Sequence, residues 1–549
     1  MYTILGLLPI ALAIVMMMVF RKKSSYSMLS AWAASVLIAV VFWNMNVAHV
    51  AAYTFFGFLS AIDVLLIVFS AILLLNVLKE LRFIETIGNG FNGITQDRRI
   101  QILIISWLFG SLIEGAAGFG TPPALAAPLL IGLGVPPLFA ALASLMANYS
   151  PVLFGAAGTP TITGYATIEP SIIAEFGPEV SAAIFAQLNN MLAFINIFVG
   201  SFVPFMIIAT IVSMDGRKRG IKDALNIFPL CLFAGLIFTI PAWLASFLGP
   251  QLPTLTGALV GLPVMVIAVK KGFLVPKTIY RFQDDPIKEI AETKDTGVSL
   301  VTAWSPYILI ALALTLSRLP WLPLVGWIRH DNVTVFAMSL FGFEGINWIW
   351  RPLNNPGLFP FIPVTILFLL MRKTAFSTVK RLTTTTLKSL KHAAIALSFG
   401  IALVQIMRFT DYPNFGAGEI GAMTTEIAAS LAAIFGPVYP LIAPPIGILG
   451  AFVSGSHTVS NVMFFGLQLE SAQALGLPMV MMLIASSSGA GIGNMIAINN
   501  VIAVVATTGT QGKENELIKG AALPTLICSL AISAILFIIL GFNLVNWVA

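Results

Sequence analysis

The sequence predicts an all-α polytopic membrane protein, an inverted-topology repeat with discontinuous, re-entrant helices and about 12 net membrane crossings. Three observations carry that expectation. Of 549 residues, 58% are hydrophobic and 9% are charged, where a soluble domain has about 25% charged. Ten long apolar runs alternate with short connecting segments, most of them basic. Two further apolar regions, 100–165 and 430–508, are interrupted by Gly, Pro, Ser, Thr and Asn, leaving pieces such as 100–113 and 124–135 that are too short to cross alone.

A spanning helix needs about 17 to 25 mostly apolar residues. Runs near that length lie at 2–20, 27–43, 50–78, 183–213, 224–247, 251–269, 300–317, 357–371, 393–409 and 521–541, the run at 357–371 being the shortest. The first has no basic residue before it, whereas a secretory signal has its charges in front, so it is read as a retained span. Cys231 and Cys528 both sit in apolar runs, which leaves no disulfide framework and no CxxC-type metal site. The net charge of +6 comes from clusters at the ends of apolar runs, the pattern of cytoplasmic loops rather than of nucleic-acid binding.

Segments 21–26, 79–99, 214–223, 270–299, 372–392 and 509–520 hold 25 of the 29 Lys and Arg residues. All six are cytoplasmic at once if both termini are outside and each broken region makes one net crossing. Arg318, Arg329, Arg351 and Arg408 then fall on or near the outer side, as does 166–182, with Glu169, Glu175 and Glu179 and no basic residue. The basic, Thr-rich segment 372–392 reads most simply as a cytoplasmic loop.

An order emerges from this sidedness. Three spans precede the first broken region and one follows; three spans precede the second and one follows, in the opposite orientation. That is an inverted repeat, with residues 1–269 as the first membrane half, 270–299 as a cytoplasmic linker and 300–549 as the second half. GSLIEG at 110–115 parallels GAFVSG at 450–455, and LGVP at 133–136 parallels LGLP at 475–478. Chance is the competing explanation, since Gly and Pro are common in membrane segments.

Four stretches carry candidate chemistry. EGAAGFGTPP at 114–123 breaks an apolar region where non-helical backbone is tolerated only against protein or a polar cavity. A half-helix starting near Thr121 offers a partial positive charge to a carboxylate. FGAAGTPTITG at 154–164 repeats the Gly-x-x-Gly and Thr-Pro elements. Close packing through small residues is the structural reading of both. Glu114, at the end of an apolar half-helix, is either a proton carrier or a cap for free backbone N–H groups, because charge is costly at membrane depth. Asp63 is the other acidic residue well inside an apolar run, a second proton-coupling candidate or a structural hydrogen-bond acceptor. In the second half, GSHTVSN at 455–461 and SSSGAGIGN at 486–494 gather hydroxyls, amides and His457. Such groups suit a small hydroxylated anion, and His457 is a proton-coupling candidate or a hydrogen-bonded structural residue. No Walker loop, HExxH, GxSxG or metal-spaced His/Cys/carboxylate set occurs, which argues against a membrane enzyme and for neither cofactor nor metal.

The stretches GSLIEGAAGFGTPPALAAPLL at 110–130 and ANYSPVLFGAAGTP at 147–160, with LGAFVSGSHTVSN at 449–461 and the TTGTQGKEN turn at 507–515, resemble the lactate permease family. The resemblance implies bacterial or archaeal plasma-membrane symporters that import L-lactate, D-lactate, glycolate and related 2-hydroxy monocarboxylates with protons. Two positions depart from the family pattern: His457 stands where it has an acidic residue, and Asn494 where it has a lysine. The expected coupling residues are Glu114, His457 and Asp63. The expected substrate residues are Gly118, Gly120, Thr121, Asn148, Ser150, Thr159, Ser454, Ser456, Thr458, Asn461, Ser487 and Asn494. Expected partners are a small organic anion, a proton and the lipid bilayer, with a homodimer left open. A transporter with another organic anion or coupling ion, a passive anion channel and a proton-translocating subunit of a redox complex are the alternatives, the last disfavoured because intramembrane charges are few.

Overall fold

A computed structural model describes residues 1–549 except 21, 92, 119–120, 217–219, 284–295, 318, 320–321, 323–335, 344–345, 351, 412–419 and 549. The fold is helical almost throughout, because a chain this apolar must satisfy its backbone polar groups within each segment. Among the described residues, nine helices are long and apolar enough to cross a membrane, or up to 11 if each of two bent pairs counts as one span. The bends are 54° between Pro137–Val152 and Gly155–Ala166, and 89° between Met423–Leu441 and Ala443–Ser454.

The apolar runs map closely onto helices, including Tyr2–Met18, Ser24–Phe42, Val47–Glu80, Phe228–Ser246, Pro253–Lys270 and Leu300–Leu316. Polar side chains mark several starts. Asn46 accepts from the Ala48 N–H, and Ser299 accepts from the Thr302 N–H, each supplying an acceptor to a first-turn donor. Two local expectations are corrected. Residues 376–392 are not a loop but the opening turns of a continuous 33-residue helix, Phe376–Arg408, whose sequence has no Gly or Pro before Gly400. Strands Phe336–Ser339 and Asn347–Trp350 pair antiparallel in a short hairpin that the hydropathy pattern did not announce.

The helices pack around two apolar cores. Tyr2–Met18, Ser24–Phe42, Val47–Glu80, Phe376–Arg408 and Met423–Phe435 share one apolar core, to which His457–Leu475 adds Val459, Met463, Phe464 and Leu467. Gly57 lets Val47–Glu80 approach the backbone of Ala402 so closely that a Cβ there would overlap it, the small-residue contact expected of membrane helices. The broken regions form the centre of a larger core, with Arg98–Ala116 and Met479–Gly493 buried along their whole lengths.

Within that larger core the two broken regions have matching element orders. A helix ends at a break, Arg98–Ala116 or Ala443–Ser454, and a second follows, Thr121–Leu133 or His457–Leu475. The LGVP and LGLP turns come next, with Gly134 and Gly476 at positive φ and Pro136 and Pro478 capping the helices that begin at Pro137 and Met479. Each order closes with a short helix, Gly155–Ala166 or Ile498–Thr508, before a longer apolar stretch. The regions exchange partners: Gly155–Ala166 packs on His457–Leu475, while Ile498–Thr508 packs on Thr121–Leu133. Likewise Pro178–Gly200 packs on Met479–Gly493, and Glu514–Gly541 on Pro137–Met146.

The first part of segment 270–299 is anchored. The Tyr280 N–H donates to Asp97, whose carboxylate also holds the buried Arg99 guanidinium at 2.6 Å, and the Tyr280 hydroxyl donates to Asp215 at 2.7 Å. Arg408, placed by sequence near the outer side, is buried at the end of its helix. It donates to the Thr167 carbonyl and, at 2.8 Å, to the Ser171 hydroxyl.

Candidate functional site

Glu114 lies in the last turn of Arg98–Ala116 and is 1% exposed. The helix stops at Ala117 and the chain turns through Gly118 at φ +56°. Glycine matters at two neighbouring positions. A Cβ on Gly155 would collide with Glu114 Oε1, and one on Gly118 would press on Ala156 and the same carboxyl oxygen. The EGAAG and GAAG elements are therefore halves of one fit, in which bare backbone makes room for a buried carboxyl.

The second break is built from left-handed backbone. Ala156, Ala157 and Gly158 have φ of 42°, 53° and 80°, a conformation that costs of order 1 kcal/mol or more at each alanine. In the second half, Gly455 turns the chain at φ +70°, and Ser456 begins His457–Leu475 by accepting from the Val459 N–H at 3.3 Å. The N–H groups of His457 and Thr458, at the first two positions, precede any intrahelical acceptor. A fourth break follows Asn494, at the end of Met479–Gly493.

All four breaks meet at one small cavity of about 20 Å³, lined by Glu114, Gly118, Asn148, Val152, Gly155, Ala156, Pro160, Gly455, Ser456, His457, Thr458 and Asn494. That volume holds roughly one water molecule. Three lining residues have buried polar atoms without a hydrogen-bond partner: Glu114 Oε2, Asn148 Oδ1 and Asn494 Nδ2. Such atoms are rare in folded proteins and ask for a ligand or a water. Asn494 is oriented by Asn500, whose Nδ2 donates to Asn494 Oδ1 at 2.8 Å, leaving the Asn494 amino group as the spare donor.

His457 is held from both halves. Its Nδ1 is 3.1 Å from the Val152 carbonyl and its Nε2 is 3.0 Å from Ser487 Oγ. A carbonyl only accepts, so Nδ1 carries the proton. Asn461 Nδ2 donates to Ser487 Oγ at 3.2 Å and to the Pro160 carbonyl at 3.1 Å. The serine can then give its own proton to Nε2, which completes the network around a neutral ring.

The remaining expected residues stand away from the cavity wall. Ser487 and Asn461 are one step behind it, through His457. Thr121 Oγ1 donates to the Gly118 carbonyl at 2.8 Å, its N–H donates to the same oxygen, and Pro122 and Pro123 have no N–H, so the donors expected at that helix start are engaged or missing. Thr159 bonds the Ala156 carbonyl at 2.6 Å, Ser150 accepts from Asn196 at 2.6 Å, and Ser454 bonds the Gly450 carbonyl at 2.7 Å. Asp63 accepts from Trp350 Nε1 at 2.9 Å and from Asn355 Nδ2 at 2.6 Å, tying the hairpin segment to Val47–Glu80. Gly120 lies outside the described residues. Sequence reasoning missed Asn500 and the Val152 carbonyl. The Asn pair at 499–500 after the Gly-Asn at 493–494 was a readable signal for the first; a carbonyl leaves none.

Among the described residues no group of three His, Cys, Asp or Glu side chains gathers as a metal site would. The family model for L-lactate permease matches residues 2–542. A putative L-lactate permease of Haemophilus influenzae is 27% identical over 98% of this chain and 99% of its own length. An L-lactate permease of Salmonella typhi is 29% identical over 91% of this chain and 88% of its own. A glycolate permease of Escherichia coli is 28% identical over 97% of this chain and 94% of its own. With that coverage and this array of membrane-spanning helices, the chain belongs to the L-lactate permease family and is a multi-pass transporter of the plasma membrane, not an enzyme.

Proposed function

We propose that the protein imports small 2-hydroxy monocarboxylates, L-lactate, D-lactate and glycolate, together with protons. The observation that carries this reading is the meeting of four helix breaks at one cavity, with a buried carboxyl on one side and a capped helix start on the other. The substrate carboxylate sits at the start of His457–Leu475, where the N–H groups of His457 and Thr458 and the helix dipole favour an anion. The Asn494 amino group adds a donor there, and Asn148 Oδ1 accepts from the 2-hydroxyl. Glu114 carries the proton, so that the loaded site is close to neutral while it crosses. Asp63, engaged by Trp350 and Asn355, has a structural role in this scheme.

A cavity with room for one water is too small for lactate, so substrate enters through an opening of the wall and the structure corresponds to a closed form. The exchange of partners between the broken regions supports an inverted repeat, with halves 1–269 and 300–549 joined through 270–299, and alternating access about the shared site. Single cysteines at positions 385 and 354 test that layout in intact cells with an impermeant maleimide. Labelling at 354 with protection at 385 is expected, and the reverse overturns it.

The decisive assay is counterflow and gradient-driven uptake in proteoliposomes with lactate, glycolate, pyruvate and succinate. Saturable uptake of lactate or glycolate, driven by an inward proton gradient and reduced by an uncoupler, is the expected result. Uptake that follows a sodium gradient at fixed pH refutes the coupling, and conductance without counterflow identifies a passive anion channel instead.

A further inference from the structure

A second cavity lies far from the helix breaks in chemistry and size. It is a groove of about 550 Å³ between Phe83–Gly90, Pro253–Lys270 and Leu300–Leu316, within the range of sites that hold small ligands. Its walls are apolar side chains such as Phe91, Leu259, Leu262 and Leu312, and its one charged lining residue is Lys270. The groove opens to the membrane face: Ile267 and Leu312 on its rim are 55% and 54% exposed.

The charge sits at one end. Lys270 is the last residue of its helix, and Leu300 is the first residue of the helix opposite. Trp304, one turn further in, also lines the groove. A lysine at a helix end with a tryptophan one turn further in marks the headgroup region, and the basic segment that follows places that end on the cytoplasmic side. Away from that end the lining is aliphatic. No carboxylate pairs with Lys270 among the described residues.

We propose that this groove holds one anionic phospholipid, with an acyl chain along Leu259–Leu312 and the headgroup phosphate at Lys270. The occupant is argued from this complementarity: hydrocarbon against an apolar wall open to the bilayer, and a phosphate against the lysine that lines its end. A basic residue near an anionic leaflet contributes enough for a selectivity of about fivefold.

The test uses full-length protein in phosphatidylcholine vesicles doped with photoactivatable phosphatidylglycerol, with cross-linked peptides mapped by mass spectrometry. Labelling concentrated on 259–270 and 300–312 is expected, several-fold above that on Glu514–Gly541, where Leu530 is 59% exposed outside the groove. Ala311→Phe, which fills the groove, lowers labelling there at least tenfold, and Leu530→Phe leaves it unchanged. Lys270→Gln lowers the preference for phosphatidylglycerol over a photoactivatable phosphatidylcholine about fivefold. Labelling of wild-type protein spread evenly over the lipid-facing helices overturns the site without recourse to any variant. An undiminished preference in Lys270→Gln overturns the role of the headgroup.

Discussion

The break after Glu114 and the break before His457 face the same cavity with opposite chemistry. The first contributes an ionisable carboxyl and almost no backbone donors, because Thr121 is bonded back to Gly118 and two prolines follow. The second contributes a helix start with free N–H groups and a serine cap, and no carboxyl. In the proposed scheme, two breaks that look alike as Gly-rich interruptions take different cargo, a proton at one and an anion at the other.

Glu114→Gln is the largest expected break in that division. A permanent neutral mimic removes proton-driven accumulation, so the internal-to-external substrate ratio falls to one while counterflow persists; continued accumulation in this variant would assign the proton elsewhere. Gly155→Ala comes next. Its Cβ displaces the Glu114 carboxyl, and an overpacking cost of about 1.4 kcal/mol corresponds to roughly tenfold slower counterflow, read from initial rates. His457→Gln sharpens the comparison from the other side, keeping accumulation while shifting apparent affinity several-fold, about 1 kcal/mol for one altered hydrogen bond. Loss of proton dependence in that variant alone would move the coupling role to the imidazole. Asn500→Ala, which lies behind the cavity wall but releases Asn494, and Ser456→Ala, which removes the cap on Val459, should each weaken apparent affinity a few-fold, about 1 kcal/mol in half-saturation measurements. Thr121→Ala has the smallest effect, because its hydroxyl serves Gly118 and not the cavity.

The spans were legible because hydrocarbon leaves the chain little choice, and runs such as 27–43 and 300–317 became helices within a few residues of their apolar limits. The breaks were legible for a related reason: Gly118 and Gly455 adopt backbone that other residues resist. What hydropathy could not convey was structure outside the bilayer. Residues 376–392 are polar enough for a loop, yet Thr and Lys on a helix surface satisfy water equally well. The site was partly legible. Glu114, Asn148, Ser456, His457, Thr458 and Asn494 converge as their polarity in apolar surroundings suggested. Ser150, Thr159 and Ser454 share that polarity but bond nearby groups instead, and only three-dimensional placement tells an aimed hydroxyl from a locally occupied one.

The imidazole of His457 also acts as a rivet. One nitrogen is fastened to Val152 in the first broken region and the other to Ser487 in the second. Prying the regions apart would strand a buried ring at a cost of about 1 to 3 kcal/mol for each unmet partner. Arg408 makes a second such fastening, from the end of Phe376–Arg408 to Thr167 and Ser171 beyond the first broken region. An opening of the cavity wall between the regions has to release the imidazole rivet on one side, and the cost of doing so is part of the barrier to loading.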